Sequence, residues 1–339
     1  MPDARATVFD LIAGRWRSQA IHTGVKLGVF DALASDPISA STVAVECHLH
    51  PEMTYRLLRA LASLGLMEEH PDRRFSPTEA GRLLRRDHPA TLRDIVLLRE
   101  GPEHVAVWKH LPAIVRDGVQ NGFVREFGRT AFEHANREPA YGDAFDAGMS
   151  SYSRLQTEWT LDALDRRDFG AVGHFCDIGG GQGHLLCHFL LRYPHMRGTV
   201  LERPSALEDG AALWADRLGV SDRCRYIAGD MFADLPGADA YVLKMILHNW
   251  SDDECVRLLR NACERATPNG CLLIVEHVIP GIDTPHIAKL FDLHMMTWGP
   301  GRERTETEYA DLLDRAGWEY VATWYPREGD IGVVEATRR

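Results

Sequence analysis

Between residues 6 and 35, apolar side chains recur at helical spacing. They are Val8, Leu11, Ile12, Trp16, Ala20 and Ile21, then Val25, Leu27, Val29, Phe30 and Leu33. Residues three and four apart share one helix face, so this stretch predicts amphipathic helix. In 38–46 a serine can cap a short helix. The turn His48-Leu49-His50-Pro51 leads to a second helix over 52–64, stopped by Gly65. Segments 66–69 and 74–77 bracket Pro71-Asp72-Arg73, which reads as the turn of a hairpin. Two helices and a small hairpin outline a winged helix. Apolar helices that bury little within so small a unit point to a second subunit as their partner. Residues 90–165 read as helices and loops punctuated by Trp108, Phe123, Phe127, Phe132, Tyr141, Phe145, Tyr152 and Trp159, most of them core.

From residue 172 the pattern becomes strand alternating with helix. Strands are expected at 174–178, 198–201, 225–228, 240–244, 271–278, 320–324 and 332–336. Helices are expected near 183–192, 205–217, 252–266 and 306–316. Such alternation predicts a mainly parallel, doubly wound sheet with its ligand at the C-terminal strand ends. The last two strands are joined by a short turn containing Pro326 and Gly329, too short for a crossover. They should pair antiparallel at one end of the sheet.

The first of these strands runs into Asp177-Ile178-Gly179-Gly180-Gly181-Gln182-Gly183-His184, and an apolar helical pattern leaves it. Strand, glycine turn and helix aim backbone N–H groups and a positive helix N-terminus at a ligand. A dinucleotide fingerprint would need glycine at 184, where His184 stands, and no G-K-[ST] follows for a P-loop. Asp177 precedes the glycines and suits a cationic ligand group. Glu202 ends the next strand, where nucleotide-type folds hold a ribose. These two acids turn the reading towards an adenosine-type ligand. Phe145, Met149 and Tyr152 are candidates to reach a pocket in front of the loop.

Composition narrows the classes. The chain has 339 residues, 45% hydrophobic and 26% charged, as in a globular protein of about two domains. A net charge of −11 disfavours a general polyanion partner. The candidate recognition helix carries Arg56 and Arg59 without a basic cluster that outweighs its acids, so no nucleic acid is expected. No apolar run is long enough for a membrane span. The start, Met1-Pro2-Asp3-Ala4-Arg5, lacks a signal-peptide pattern, and the seven cysteines contain no C-x-x-C pair. Reduced thiols and a cytoplasmic location are the expectation. The sixteen histidines show no metal-ligand spacing, so no metal is expected.

Further chemistry falls at strand ends. Asp230 and Met231 close the third strand and can clamp the edge and face of a base. Lys244 closes the fourth, ahead of His248-Asn249-Trp250-Ser251-Asp252. His248 is the acid–base candidate, because an imidazole pKa of about 6.5 lets it take a proton near neutrality. Glu276 and Glu303 are carboxylates that can reach it and fix its tautomer. Glu303 read alone would be a surface charge in an Arg–Glu–Arg run. His277 and His294 compete with His248, without both a strand-end position and a carboxylate.

With these residues in order, the chain resembles the S-adenosylmethionine-dependent small-molecule O-methyltransferases, caffeate-type plant enzymes and bacterial relatives in aromatic antibiotic biosynthesis. The matching motifs are 177–183, Gly229-Asp230-Met231-Phe232, Lys244 with 248–252, and Gly301-Arg302-Glu303-Arg304-Thr305. The resemblance implies a Rossmann-like α/β domain at 166–339, with a seven-stranded, mostly parallel sheet and an antiparallel last strand. It implies an N-terminal helical, winged-helix dimerisation domain at 1–100, linking helices at 101–165 that contribute to the substrate pocket, and a homodimer. By position, Asp177, Gly179 and Gly181 would line the methionine part of the cofactor, Glu202 the ribose, and Asp230 and Met231 the adenine. Lys244 would lie near the cofactor and Trp250 near the base. His248 matches the catalytic base, flanked by Glu276 and Glu303. The sulfonium carries an activated methyl, so transfer needs no metal and leaves S-adenosylhomocysteine. Trp108, Phe145, Met149, Phe291, Met295 and Trp298 suggest a pocket for a flat aromatic phenol. Relatives of this kind methylate phenazines, anthracyclines or quinones. Two rivals remain: cofactor-assisted hydroxylation or decarboxylation on the same fold, and a ligand-sensing winged-helix regulator.

Overall fold

The computed structural model describes residues 3–33, 36–207 and 213–339. The chain forms two compact units. One holds the residues up to Ala106 together with Phe132–Tyr152, and the other Val107–Ala131 with Ser153–Arg339. The division falls inside the helix Pro139–Ala163.

In the first unit the apolar run at the N-terminus is cut into helices Ala4–Ile12, Gly14–Lys26 and Val29–Ala32. The last break sits at Gly28, whose φ of 75° is open to glycine at little cost. Ser39 caps Ala40–Glu46 by accepting the Thr42 N–H at 3.1 Å. Helix Pro51–Ser63 and strands Met67–His70 and Arg74–Pro77 complete the winged helix. A third strand, Ile38–Ser39, pairs antiparallel with Arg74–Pro77, an addition that two residues are too short to signal. Val25, Phe30, Val43, Leu58, Leu61 and Phe75 make its core.

The second unit is built on a seven-stranded sheet. Its strands are β1 (His174–Ile178), β2 (Arg197–Glu202), β3 (Cys224–Ala228), β4 (Ala238–Lys244), β5 (Ala266–Glu276), β6 (Trp318–Trp324) and β7 (Gly332–Arg338). Their order across the sheet is β6-β7-β5-β4-β1-β2-β3. β7 runs antiparallel to both neighbours, and the remaining pairings are parallel. Both faces are covered, which is why the strands read as continuous apolar runs. Tyr241, Leu243, Leu272 and Ile274 face one core with Leu258, Leu259, Leu312 and Trp318. Ala240, Val242, Leu273 and Val275 face the other with Phe175, Leu186 and Phe189.

Helices α1 (His184–Arg192), α2 (Asp252–Arg265) and α4 (Glu306–Arg315) flank this sheet, while α3 (Ile287–Trp298) packs on the helices Leu111–Asp117 and Gly122–Phe127. The helix expected over 205–217 is present as Pro204–Leu207 and Trp214–Arg217, while 208–212 lie outside the described residues. α3 interrupts the strand–helix alternation, and the alternation pattern gives no place for it. Capping boxes start two helices beside the candidate site: Ser251 with Glu254 at α2, and Thr305 with Glu308 at α4. Each reciprocal pair satisfies two orphan N–H groups and fixes where its helix begins. Parallel register brings Ile178, Glu202, Lys244 and Glu276 to one edge of the sheet. Among the described residues, no helix is long and apolar enough to cross a membrane.

The N-terminal helices leave Phe9 and Trp16 each 72% exposed, and Val8, Leu11 and Ile12 are exposed beside them in the chain. That much apolar surface in one place belongs to an interface. Replacing both Phe9 and Trp16 with Glu is expected to convert a dimer to monomer in light scattering, with the far-ultraviolet spectrum retained. A dimer that survives both substitutions would place the interface elsewhere.

Candidate active site

The glycine loop leaves β1 with Asp177 beneath it. The Asp177 side chain lies so close to Gly180 that a Cβ there would sit 2.5 Å from its carboxyl carbon. Gly181 has a φ of 56° and donates its N–H to Glu202 Oε2 at 3.1 Å. The other Glu202 oxygen accepts the Arg203 N–H at 2.7 Å. Tyr226 ties the back of the loop through its hydroxyl to the Gln182 carbonyl at 2.8 Å.

Asp177 is 1% exposed, and among the described residues neither carboxylate oxygen has a hydrogen-bond partner. Burial raises its pKa to about 7, opposed by Lys244 and reinforced by Glu202. Lys244, at the end of β4, donates to Ser153 Oγ at 3.2 Å and feels both Asp177 and Glu276. Burial lowers its pKa against the pull of those two acids. Asp230 follows β3 and accepts the Phe232 N–H at 2.9 Å. Met231, Phe232, Ile246 and Trp250 are half-buried against the core, with Trp250 edge-on to Phe232 at 4.8 Å. The expected adenosine-side residues therefore gather along one end of the sheet.

The chain leaving β4 turns sharply. Met245 adopts a φ of 55°, and a short 3₁₀ turn over Leu247–Asn249 carries His248. Glu276, fully buried at the end of β5, receives the N–H groups of Ile246, Leu247 and His248 on one oxygen at 3.0, 2.8 and 3.3 Å. Its other oxygen lies 3.5 Å from His248 Nδ1. Burial raises the Glu276 pKa to about 7, with His248 opposing and Glu303 adding to the rise. Glu303 comes closer, placing Oε1 2.8 Å from Nδ1. It is 2% exposed, so the Arg–Glu–Arg run is a surface feature only at Arg302. As a carboxylate Glu303 accepts Nδ1–H, which makes Nε2 the basic nitrogen.

Arg304 and Asp252 stand inside the matched motifs with no role read from them, and Asp292 lies outside every motif. Arg304 is fully buried and bonds to Asp252 and to backbone carbonyls around His248. Asp252 begins α2 and takes Nε and Nη2 of Arg304 at 3.0 and 2.8 Å. Asp292, on α3, accepts the Glu303 N–H at 2.9 Å. The four- and three-residue spacing of Phe291, Met295 and Trp298 was the available signal for α3.

Of the pocket candidates, Phe291 lies parallel to the His248 ring at 6.1 Å and an interplanar angle of 5°. His294 joins it at 5.6 Å and stacks with Trp108 at 6.3 Å. Trp298 meets Phe123 edge-on at 5.2 Å, and Met295 is buried. Phe145 and Met149 belong to the first unit. Phe145 packs there against Tyr141 and Phe132. The competing His277 is spoken for by the Asp330 carbonyl at 3.0 Å.

A parallel sheet with a glycine loop and acids at its strand ends defines a Rossmann-like domain built to hold an adenosine-type ligand. Residues 108–319 match the O-methyltransferase domain model and residues 9–87 the O-methyltransferase dimerisation domain model. The chain belongs to this O-methyltransferase family. It is similar to the mitomycin biosynthesis 6-O-methyltransferase of Streptomyces lavendulae, at 32% identity over 99% of this chain and 95% of that one. The phenazine O-methyltransferase PhzM of Lysobacter antibioticus is 31% identical over 97% and 95%. Among solved structures, the O-methyltransferase NcsB1 of neocarzinostatin biosynthesis, in complex with S-adenosylmethionine and 2-hydroxy-5-methyl naphthoic acid, superposes with a TM-score of 0.75. It is 29% identical, over 95% of this chain and 96% of that one. The protein is an S-adenosylmethionine-dependent O-methyltransferase.

The buried Asp177 carboxylate, unpartnered among the described residues, fits the cationic end of that cofactor. A cation binds the ionised acid, so a proton must leave wherever Asp177 is protonated. Binding of S-adenosylhomocysteine is expected to weaken up to tenfold per unit below about pH 7 and to level off above it. Calorimetry in buffers of different ionisation enthalpy should show proton release below that point. In Asp177→Asn both effects should vanish; a pH profile unchanged by the substitution would contradict this.

Proposed function

We propose that the enzyme methylates a phenolic hydroxyl of a flat, multi-ring aromatic natural product of phenazine, anthracycline or quinone type, with His248 as the base. The observation that supports this best is the 2.8 Å bond from His248 Nδ1 to the buried Glu303. When bound, the cofactor supplies a methyl group already activated by its sulfonium. The chain's task is alignment and proton removal. Holding reacting groups in line is worth roughly 7–11 kcal/mol. A phenol has a pKa of about 10, and a placed base adds about 10²–10⁴-fold.

In this reading the glycine loop, Asp177 and Lys244 hold the methionine end of the cofactor, Glu202 the ribose, and Asp230, Met231 and Trp250 the adenine. His248 Nε2 takes the phenolic proton, and Glu303 stabilises the imidazolium that forms. Glu276 holds the backbone of the turn, and Phe291 offers a wall parallel to the base. Trp108, Met295 and Trp298 extend that wall. We assign residues 1–100 to pairing of two copies, 101–165 to the link and 166–339 to catalysis, in the cytoplasm. Nucleic acid has no part in it.

His248, Glu276 and Glu303 offer ligand atoms within 4.8 Å of one another. We nevertheless assign them to proton transfer without a metal. One Glu276 oxygen is already committed to three N–H groups, and Nδ1 is committed to Glu303. Cofactor-assisted hydroxylation or decarboxylation has no use for such a base.

Incubation with methyl-labelled cofactor and a panel of tricyclic phenols should yield singly heavier products by mass spectrometry. Retained cofactor with no methylated product from any phenol would contradict the reading. His248→Ala should lose about 10²–10⁴-fold in kcat while binding S-adenosylhomocysteine normally. Glu303→Gln should cost more than Glu276→Gln, because the amide imitates the protonated acid that burial already favours at Glu276. The reverse order would exchange the roles of the two acids.

A further inference from the structure

Arg304 stands directly after Glu303 in a run of alternating charge, yet its side chain is fully buried. Its five N–H donors are all engaged. Nε and Nη2 reach Asp252 Oδ1 at 3.0 and 2.8 Å. Nη2 also donates to the Trp250 carbonyl at 2.9 Å. Nη1 donates to the carbonyls of Leu247 and Arg302 at 3.1 and 3.2 Å. The Leu247 carbonyl belongs to the peptide that enters His248, and Trp250 lies two residues beyond it. One planar group therefore grips the backbone on both sides of the base while its own chain position fixes the neighbouring acid. Gly301 marks how closely the two segments approach, since a Cβ there would lie 1.9 Å from the His248 carbonyl oxygen. Arg304 also pairs in parallel register with Val278, two residues beyond Glu276, so the same strand contact orders both acids.

We infer that Arg304, with Asp252 as its counter-ion, is a positioning residue for methyl transfer that sets the separation between His248 and Glu303. The inference rests on His248 being the base. A lysine at this site keeps the charge but presents three donors on one nitrogen, which cannot span Asp252, Leu247 and Trp250 together. A displacement of about 1 Å at a reacting group can cost about 10²-fold.

The test uses the full-length enzyme with R304K and, in parallel, D252N. R304K is expected to bind S-adenosylhomocysteine and the phenol within about threefold of the parent while kcat falls about 10²-fold. Its acidic limb of kcat against pH should move to lower pH, because a carboxylate set further from the imidazole supports its protonated form less. Among the described residues, the charged and titratable groups near His248 include Glu276 on β5, His277 just beyond it, Glu303 and Arg304, with Asp292 of α3 bonded to the Glu303 N–H. Lysine preserves the charge of Arg304, so the limb reports the Glu303 geometry. D252N, which spares the carbonyl bonds, should give a smaller loss in the same direction, and it decides by the same criteria if R304K does not fold.

Parent-like kcat and pH limb would overturn the inference. So would a kcat loss that merely tracks the loss of folded, cofactor-binding enzyme with the limb unmoved. If His248→Ala keeps full turnover, the base reading fails and this role with it. If His248→Ala is inactive and R304K is unchanged, only the role of Arg304 fails.

Discussion

A turn of backbone with no ladder to join has to be satisfied by side chains, and the site depends on how that is done between β4 and α2. Glu276 takes the N–H groups of residues 246–248, and Arg304 takes the carbonyls of Leu247 and Trp250. Each buried group left unmade would cost about 1–3 kcal/mol. A carboxylate and a guanidinium thus do for this turn what a strand partner does elsewhere. Because Glu276 ends a central strand and Arg304 follows Glu303, satisfying the turn also brings His248 together with Glu276 and Glu303. The left-handed conformation at Met245 is tolerated inside this frame.

Burial of charge is the second constraint. Asp177 and Glu276 are both held in surroundings that favour their protonated forms, one beneath the glycine loop and one beneath His248. Lys244 feels both acids. A folded protein keeps such groups at a cost in stability, which is normal where function requires them. For Glu276 the cost is relieved by three N–H groups and a histidine.

Much of this was legible along the chain, for reasons that are local. The strands of the catalytic unit are bounded by runs such as Leu272–Val275, and burial on both faces makes such runs hard to mistake. The glycine loop and the acids at strand ends are read from position alone, and the short link around Pro326 and Gly329 was enough to require an antiparallel pair. What escaped depends on partners far away in sequence. Arg304 and Asp252 are 52 residues apart, and nothing within the Arg302-Glu303-Arg304 run says that only its first charge faces solvent. Strand Ile38–Ser39 exists only through its pairing with residues near 75. Helix α3 breaks the alternation that revealed its neighbours, and with it went Asp292.

The central claim is that this frame presents Nε2 of His248 as a base. Nitrogen-15 spectroscopy of histidine-labelled enzyme, with His248→Ala used to assign its resonances, reads the tautomer directly. A protonated Nδ1 is expected, its proton strongly deshielded by the bond to Glu303, with an unprotonated Nε2 at mildly alkaline pH. A neutral ring carrying its proton on Nε2 would contradict it.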